Sequence, residues 1–184
     1  MKIKMIAAHD INLGIGCENK LLWNIPEDLK HFQNETKGKV VVMGSNTYFS
    51  IGKPLPNRIN AVLSSKNFLN SKFDNEMTFI NTDKLLNKSN PRDDDYFKNK
   101  IFKNIDNILD YYKNEEEIII IGGESIYNQF LDIADELIIT VVLDMFKADT
   151  YFPFYLDKFK ETYRSDIMKS SKGNEYFFLK LERK

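Results

Sequence analysis

Short apolar segments alternate with amphipathic segments along most of the chain. Some apolar segments are continuous aliphatic runs, such as Val40–Met43, and others are β-branched runs, such as Leu137–Leu143. Continuous apolar runs of this length are typical of strands that are buried on both faces of a sheet. The predicted strands are Ile3–Ala8, Val40–Met43, Ile59–Leu63, Met77–Ile80, Glu117–Ile121, Leu137–Leu143, Lys160–Ile167 and Tyr176–Leu181.

Amphipathic segments between these strands predict helices. The first should run from Pro26 to about Glu35, because proline suits the first helical position and two acidic residues follow it in the first turn. A second begins after Asn104 or Asp106 as the cap, and a third spans Ser125–Ala134. The apolar positions of the second helix are Ile105, Ile108, Leu109 and Tyr112.

Strands that alternate with helices imply crossover connections and a mainly parallel sheet. The pattern predicts an α/β protein with a central, mostly parallel β-sheet of about eight strands flanked by about four helices. The last two strands enclose the turn residues Ser170–Asn174, which predicts a C-terminal antiparallel hairpin that adds edge strands. Residues 83–103 are polar and carry the charged cluster Arg92–Asp95, so we interpret them as a surface insertion rather than a second domain.

Length and charge narrow the class of protein. With 184 residues the chain favours one domain over residues 1–184, and a hydrophobic content of 42% with 14 Phe and 9 Tyr is enough for a sizeable core. The 26 basic and 27 acidic side chains nearly cancel, which argues against a nucleic-acid partner. Any bound anion must therefore be held by local contacts.

The sequence also lacks the usual signals for disulfides, metals and membranes. Cys17 is the single cysteine, so no intramolecular disulfide can form. The aliphatic run Ile118–Ile121 is far shorter than the roughly 20 residues of a membrane helix. Met1–Ile6 does not resemble a signal peptide. We expect a cytoplasmic protein, a monomer, with no metal site and no membrane partner.

A carboxylate in the first predicted helix is a candidate ligand-binding group. Asp28 and Phe32 are four residues apart and share one helix face, with Leu29 beside them. An apolar setting raises a carboxyl pKa, and a planar group with two N–H donors, such as an aminopyrimidine, is its preferred partner. The alternative is that Asp28 is only a helix-start residue favoured by the helix dipole. This stretch alone leaves both interpretations open.

Two glycine turns follow buried strands. Met43–Thr47 and Ile121–Tyr127 each run from a strand through glycine into a helix start, where free backbone N–H groups can hold phosphates. Two such turns at the carboxyl ends of parallel strands favour a dinucleotide laid across the sheet. Neither matches the common glycine-rich fingerprints, and each alone is compatible with a simple tight turn. A proline-stiffened loop, Ile51–Arg58, adds Arg58 as a possible carboxylate partner or an ordinary surface cation.

Taken in order, these stretches resemble the dihydrofolate reductase family over Ile3–Lys180, apart from the 83–103 insertion. Several separate motifs occur in the right order and spacing. They are Ile6-Ala7-Ala8, Gly14-Ile15-Gly16, Leu22–Leu29, Val42-Met43-Gly44, Thr47, Ser50–Arg58, Leu63-Ser64-Ser65, Ile121-Gly122-Gly123, Ile126-Tyr127 and Asp149–Pro153.

The resemblance implies that NADPH is the cofactor and dihydrofolate the substrate. It implies catalytic roles for Asp28, which would bind the pteridine 2-amino group and ring N–H, and for Trp23, which would hold a water near it. Leu21 is the third implied catalytic residue, in a loop from about Leu13 to Asn24 that would close over the nicotinamide.

Further substrate and cofactor contacts follow from the same resemblance. Arg58 would hold the α-carboxylate of the glutamate tail, with Lys53 as a weaker contact, and Thr140 would support Asp28. The implied substrate-binding residues are Ile6, Ala8, Asp28, Leu29, Phe32, Ile51, Lys53, Leu55, Arg58, Ile121, Tyr127 and Thr140. The implied cofactor-binding residues are Ala8, Ile15, Gly16, Asn19, Leu21, Gly44, Ser45, Asn46, Thr47, Leu63, Ser64, Ser65, Lys66, Ile121, Gly122, Gly123, Glu124, Ser125, Ile126, Tyr127, Gln129 and Thr150.

The chain departs from the family pattern at a few positions. Ser45 and Ser125 stand where many relatives carry an arginine that helps to hold the cofactor phosphates, and Lys66 is a candidate replacement. Leu22 replaces a frequent proline before the tryptophan. His31 has no role in the family pattern, and we expect it at an exposed helix position.

The implied reaction moves a hydride from nicotinamide C4 to pteridine C6, with N5 protonated through water. Asp28 would fix the pteridine and raise its proton affinity. One alternative is a catalytically silent reductase-like binding module, and another is a reductase that acts on a ribosylated pyrimidine. The combination of Trp23, Asp28 and Arg58 favours a pteridine with a glutamate tail.

Overall fold

The structure, a computed structural model, describes residues 1–64, 77–79 and 99–184, with the backbone alone for 77–79 and 99. The strands in these ranges are β1 Lys2–Asp10, β2 Gly14–Gly16, β3 Val40–Gly44, β4 Ile59–Leu63, β5 Met77–Phe79, β6 Asn99–Phe102, β7 Glu117–Ile120, β8 Glu136–Val142, β9 Thr150–Tyr151, β10 Phe159–Arg164, β11 Met168–Lys169 and β12 Glu175–Arg183. The helices are α1 Pro26–Thr36, α2 Ser45–Ile51, α3 Ile105–Tyr111 and α4 Glu124–Phe130.

The large sheet has the strand order β10-β12-β8-β1-β7-β3-β4-β6-β5, with β11 paired to β12. Every neighbouring pair from β8 to β5 is parallel, whereas β12 runs antiparallel to β8 and to β10. This arrangement confirms the predicted mostly parallel α/β fold with four helices and a C-terminal antiparallel pair. Only β10 of that pair lies at the edge, because β12 inserts between β10 and β8.

Local sequence explains the start of α1. Pro26 occupies the first turn, where its missing N–H costs nothing, and Glu27 and Asp28 follow at the positive end of the helix dipole. The helix ends at Thr36, whose hydroxyl donates to the Phe32 carbonyl at 2.7 Å. The predicted span of this helix is confirmed within one residue.

The helix predicted over Ser125–Ala134 is shorter than expected, since α4 ends at Phe130. The amides of Ile133 and Ala134 both bond to the Phe130 carbonyl at 3.0 and 2.9 Å, which closes a tight turn. Arg183 then donates to the carbonyl oxygens of Leu131 and Ala134. A cation from the last strand therefore satisfies carbonyl groups that a longer helix would have satisfied internally.

The surface insertion was predicted to end at residue 103, and this end was wrong. Residues 99–102 form β6, which pairs in parallel with β4 and β5 inside the sheet, and Phe102 is 1% exposed. Asn99 and Lys100 precede only two apolar residues, so the segment is too short to show a hydrophobic period. The rest of that prediction, residues 83–98, lies outside the described residues.

Apolar side chains fill both faces of the sheet. The face under α3 and α4 holds Met5, Val42, Ile118, Phe130 and their neighbours. The opposite face holds a cluster built around Ile6, Val41, Met43, Tyr48, Val62, Ile119, Ile121 and Ile138, against which Phe32 and Leu55 pack. In the described part of the chain, none of the helices has the length and apolarity needed to span a membrane.

Candidate active site

The two glycine turns lie side by side. They follow β3 and β7, which are adjacent parallel strands, so both turns emerge at the same edge of the sheet. The amide of Gly44 donates to the carbonyl of Gly122 at 2.8 Å. A Cβ atom on Gly123 would lie 3.3 Å from Oγ1 of Thr47, in the first turn of α2. The geometry therefore provides one continuous backbone surface, as a cofactor laid across strand ends requires.

Close packing explains why glycine occupies these turns. Gly122 has a φ of +103°, and a Cβ atom there would lie 2.8 to 3.0 Å from two ring carbons and the hydroxyl oxygen of Tyr127. A Cβ atom on Gly44 would lie 2.9 Å from Cγ1 of Ile126. Tyr127 is itself held, since its hydroxyl donates to the Ile6 carbonyl at 2.7 Å and its ring packs edge-on against Phe152 at 4.7 Å. Side chains larger than hydrogen would disrupt this surface.

The carboxylate of Asp28 reaches from α1 to the sheet. The Thr140 hydroxyl on β8 donates to Oδ1 of Asp28 at 2.6 Å, and Thr140 lies opposite Ala8 in the β1–β8 ladder. Burial raises the pKa of Asp28, whereas the Thr140 hydrogen bond and the proximity of His31 lower it less strongly. Asp28 is thus partly buried and poised to accept N–H donors.

Apolar side chains next to Asp28 remain available for a ligand. Phe32 and Leu55 pack on the same sheet face as Ile6 and Ile121. Leu29 is 49% exposed and Ile51 is 36% exposed, although both are large hydrophobic residues. A bound apolar group that covered these side chains would remove apolar surface from water, which is favourable.

Arg58 is pre-oriented by neighbours on the same side of the sheet. Its Nε donates to the Pro56 carbonyl at 2.9 Å, and its Nη1 donates to Oγ1 of Thr36 at 3.1 Å. The guanidinium lies 5.9 Å from the ring centroid of Phe32. The other N–H donors of Arg58 have no partner among the described residues, so they are free to bind an anion. Lys53 in the same loop is exposed.

The loop before α1 is tethered on two sides. The amide of Glu18 donates to Oδ2 of Asp149 at 2.8 Å, and the Ser50 hydroxyl at the end of α2 donates to the Asn19 carbonyl at 2.6 Å. Leu21 is 66% exposed within this loop. Trp23 is half-buried, and its ring lies 5.3 Å from that of Phe146. The loop therefore extends from the β9 side of the molecule to α2.

Sequence reasoning missed the residue that fixes the root of this loop. Asp10 is fully buried, and its carboxylate accepts the amides of Asn12, Gly14 and Phe146 at 2.8 to 2.9 Å. One side chain thus connects the residues after β1 to the residues after β8. The available signal was an aspartate at a strand end with a turn residue two positions later, which is too common to be informative.

The other predicted cofactor-binding residues fall into three groups. The first group lies at strand ends: Ser45, Asn46 and Thr47 begin α2 beside the glycine turns, Leu63 ends β4 and Ser64 follows it. Ile15, Gly16 and Thr150 lie where β2 pairs with β9, and a Cβ atom on Gly16 would lie 2.8 Å from Oγ1 of Thr150.

The third group belongs to α4. Oε2 of Glu124 accepts the Tyr151 amide at 3.3 Å, and Oγ of Ser125 accepts from Gln129 at 3.2 Å. Ser125 and Gln129 are exposed. Ser65 and Lys66 lie outside the described residues.

The expected exposure of His31 was wrong. The imidazole is half-buried, with its centroid 4.2 Å from that of the Phe178 ring. The covering side chain belongs to β12, far along the sequence, so the helix pattern alone does not reveal it. The spacing of three residues from Asp28 was the one available signal.

Comparison with known proteins identifies the family of this chain. The model of the family described as dihydrofolate reductase matches residues 2–97 and 88–183. The chain belongs to the dihydrofolate reductase family. Members of this family are NADPH-dependent oxidoreductases.

Named relatives cover most of the chain. A dihydrofolate reductase of Staphylococcus aureus is 34% identical over 155 residues, which is 84% of this chain and 80% of that protein. A dihydrofolate reductase of Buchnera aphidicola subsp. Baizongia pistaciae is 37% identical over 180 residues, covering 97% of this chain and 94% of the relative. The solved dihydrofolate reductase from Enterococcus faecalis, complexed with NADP(H) and RAB-propyl, has a TM-score of 0.77 at 24% identity and covers 99% of this chain and 96% of its own. This likeness shows the shared fold.

Proposed function

We propose that this protein reduces 7,8-dihydrofolate to 5,6,7,8-tetrahydrofolate with NADPH. The reaction adds a hydride to pteridine C6 and a proton to N5, and it leaves NADP⁺. One observation carries the proposal: a partly buried carboxylate, Asp28, bonded to Thr140, on a chain whose two glycine turns share one sheet edge. Membership of the dihydrofolate reductase family supports it.

Three features of the chain would bind the substrate. Asp28 would accept the 2-amino group and the ring N–H of the pteridine with its two oxygens. The exposed apolar side chains of Leu29 and Ile51, with Phe32, would cover the ring that follows the pteridine. Arg58, already oriented by Pro56 and Thr36, would bind the α-carboxylate of the glutamate tail. Lys53 would add a weaker contact.

The glycine turns fit a dinucleotide. At Gly44 and Gly122 the protein itself, through Ile126 and Tyr127, fills the space of a Cβ atom, so the turns would present bare backbone to a flat or charged group. Ser45, Asn46 and Thr47 would add hydroxyl, amide and backbone donors beside that surface. When bound, NADPH supplies the hydride. The tethered loop would exclude water from the site by covering it.

The route of the proton to N5 depends on which side chains near the site can donate one. The Tyr127 hydroxyl donates to the Ile6 carbonyl, and burial raises the pKa of Tyr127, so it is a poor proton donor. Asp28 would bind the pteridine edge and stabilise positive charge on the ring, while water carries the proton to N5. Half-buried Trp23 would hold a water near Asp28. The cytoplasmic location and the monomeric state stay predictions.

The proposal is tested by incubating the purified protein with NADPH and 7,8-dihydrofolate and following the nicotinamide absorbance, with product identified by mass. We expect a decay that requires both compounds and yields tetrahydrofolate. A mixture without dihydrofolate is the control. If no decay occurred between about pH 5 and about pH 9, the chain would be a silent binding module. Turnover of a ribosylated aminopyrimidine in place of dihydrofolate would also overturn the proposal.

A further inference from the structure

His31 lies next to Asp28 on the face of α1 that packs on the sheet. The two residues are three apart in the helix, a spacing that makes side chains neighbours. The His31 ring packs against the Phe178 ring at a centroid distance of 4.2 Å and an interplanar angle of 35°. The imidazole is therefore fixed between the helix and β12.

Side chains of the sheet also link His31 to Asp28, through Phe178 and Thr140. Phe178 on β12 lies directly opposite Thr140 on β8, and side chains at opposite positions of an antiparallel pair share one face. Thr140 is the residue that donates to Oδ1 of Asp28. The four side chains of Asp28, Thr140, Phe178 and His31 form a contiguous set, which we call the acid–imidazole set.

One nitrogen of the His31 ring, Nε2, is buried without a hydrogen-bond partner in the described part of the chain. A bare lone pair at this atom costs less than a buried, unpaired N–H, so the neutral ring is favoured with its proton on the other nitrogen. Burial also lowers the pKa of His31. Positive charge on the ring therefore depends on a nearby anion.

Two carboxylates and one ammonium group act on His31. Glu35 lies one turn further along α1 and Lys180 lies on β12, and these two form an ion pair at 3.2 Å. The charge of Glu35 raises the pKa of His31 more than that of Asp28 does, and the charge of Lys180 lowers it. Asp28 is the remaining carboxylate that favours the charged ring. Tyr176, also on β12, is buried and has a raised pKa, so it adds no charge near neutral pH.

We propose that His31 is a positioning residue that acts through Asp28, with the two side chains titrating as one coupled pair. A proton on His31 favours the ionised Asp28 carboxylate, and the negative charge of Asp28 favours the protonated ring. The coupling depends only on the acid–imidazole set. Its consequence for turnover rests on the proposed reduction of dihydrofolate.

NMR titration of the protein without ligands tests the coupling directly. The chain has only two histidines, so a His9→Gln or His31→Gln variant assigns the two ring signals. Selective carboxyl labelling, assigned with Asp28→Asn, gives the Asp28 signal. Two coupled sites must affect each other equally. We expect Asp28→Asn to lower the pKa of His31 by about 0.5 to 1 unit and His31→Gln to raise the pKa of Asp28 by the same amount, a three- to tenfold change in proton affinity by ~1.4 kcal/mol per unit.

Two further variants separate charge from packing. His31→Phe keeps an aromatic ring against Phe178 but cannot ionise, so it should raise the pKa of Asp28 as much as His31→Gln does. Lys30→Gln removes a charge from the exposed side of the same helix and should change neither pKa beyond a small fraction of that amount. The proposal would be overturned if the substitutions left the pKa values of His31 and Asp28 unchanged or shifted them by unequal amounts. An effect of Lys30→Gln equal to that of His31→Gln would also overturn it.

The turnover measurement adds a readout that a merely structural role would not affect. The acid limb of the kcat/KM profile reports the free enzyme. In His31→Gln it should move to higher pH by the amount measured for Asp28. A uniform loss of kcat/KM with no movement of the limb would contradict the proposal. If the protein did not reduce dihydrofolate at all, the NMR titrations would still decide whether the pair is coupled.

Discussion

The Thr140 hydroxyl and the Asp28 carboxylate are joined by a 2.6 Å hydrogen bond between β8 and the first turn of α1. The bond stabilises the ionised form of Asp28, whereas burial favours the neutral form and dominates. A partly buried carboxylate held by one hydroxyl has a free oxygen for a ligand. The predictions below depend on this arrangement and on the groups around it.

Replacing Thr140 with valine should weaken substrate binding and turnover. The change keeps the shape but removes a hydrogen bond to a charged group, which is worth about 1.5 to 3 kcal/mol. We expect kcat/KM for dihydrofolate to fall about 10- to 100-fold and the pKa of Asp28 to rise further. Steady-state kinetics over a pH range would measure both. Thr162→Val, at an exposed position of β10, is the matched control and should leave kinetics unchanged.

Gly122→Ala should abolish cofactor binding and reduce stability. The residue has a φ of +103°, and the added methyl group would lie 2.8 Å from the Tyr127 ring. Gly173→Ala is the matched control, because its φ of +94° is equally unfavourable but nothing lies within 4 Å of the new atom. Thermal unfolding and NADPH titration by fluorescence would compare them. Equal effects of the two variants would show that the contact with Tyr127 is unimportant.

Arg58→Lys should raise KM for dihydrofolate and leave kcat nearly unchanged. Lysine keeps the charge but loses the planar fork that the Pro56 and Thr36 contacts orient. A tenfold or larger increase in KM is expected, from about 1.4 kcal/mol of lost binding. Arg164→Lys, an exposed residue paired with Glu161, serves as the control. A substrate analogue without the glutamate tail should be insensitive to Arg58→Lys.

Asp28→Asn should stabilise the folded protein at neutral pH. Burial raises the pKa of Asp28 in the folded state above its ordinary value of 3.8. The folded protein therefore loses stability as the pH rises from 3.8 through the raised pKa, because the buried carboxyl group becomes charged. Asparagine has no charge to bury and still accepts the Thr140 hydrogen bond. We expect Tm to increase by about 2–4 °C at pH 7 and the difference to disappear below about pH 4. The control is Asp166→Asn, at an exposed position. A lower Tm for Asp28→Asn at pH 7 would contradict this reasoning.

Continuous patterns made the fold predictable. Val40–Met43 is apolar throughout, and Leu137–Leu143 is apolar apart from Thr140, because both sheet faces are covered. Pro26 with its acidic neighbours marks the start of α1. β6 was not predictable, because Lys100 interrupts it. That residue is 2% exposed with its ammonium 5.4 Å from the Tyr111 ring, an interaction that no local pattern reveals.

The candidate site was predictable where its residues are contiguous. The motifs around Asp28, Gly44 and Gly122 are each a few residues long, and the structure brings the two glycine turns together. Contacts made between distant segments were not predictable. The burial of His31 depends on Phe178, and the tethers of the loop depend on Asp149 and Ser50. Such pairs are defined by the folded sheet and leave no periodic signal.

The most direct test of the central claim is the single-turnover rate of Asp28→Asn with saturating NADPH and dihydrofolate near neutral pH. The variant preserves shape and the Thr140 contact but removes the negative charge that the proposed mechanism uses. We predict a fall of about 10²- to 10⁴-fold relative to the unmodified protein. A rate within about twofold of the unmodified protein would show that Asp28 has no part in the reaction.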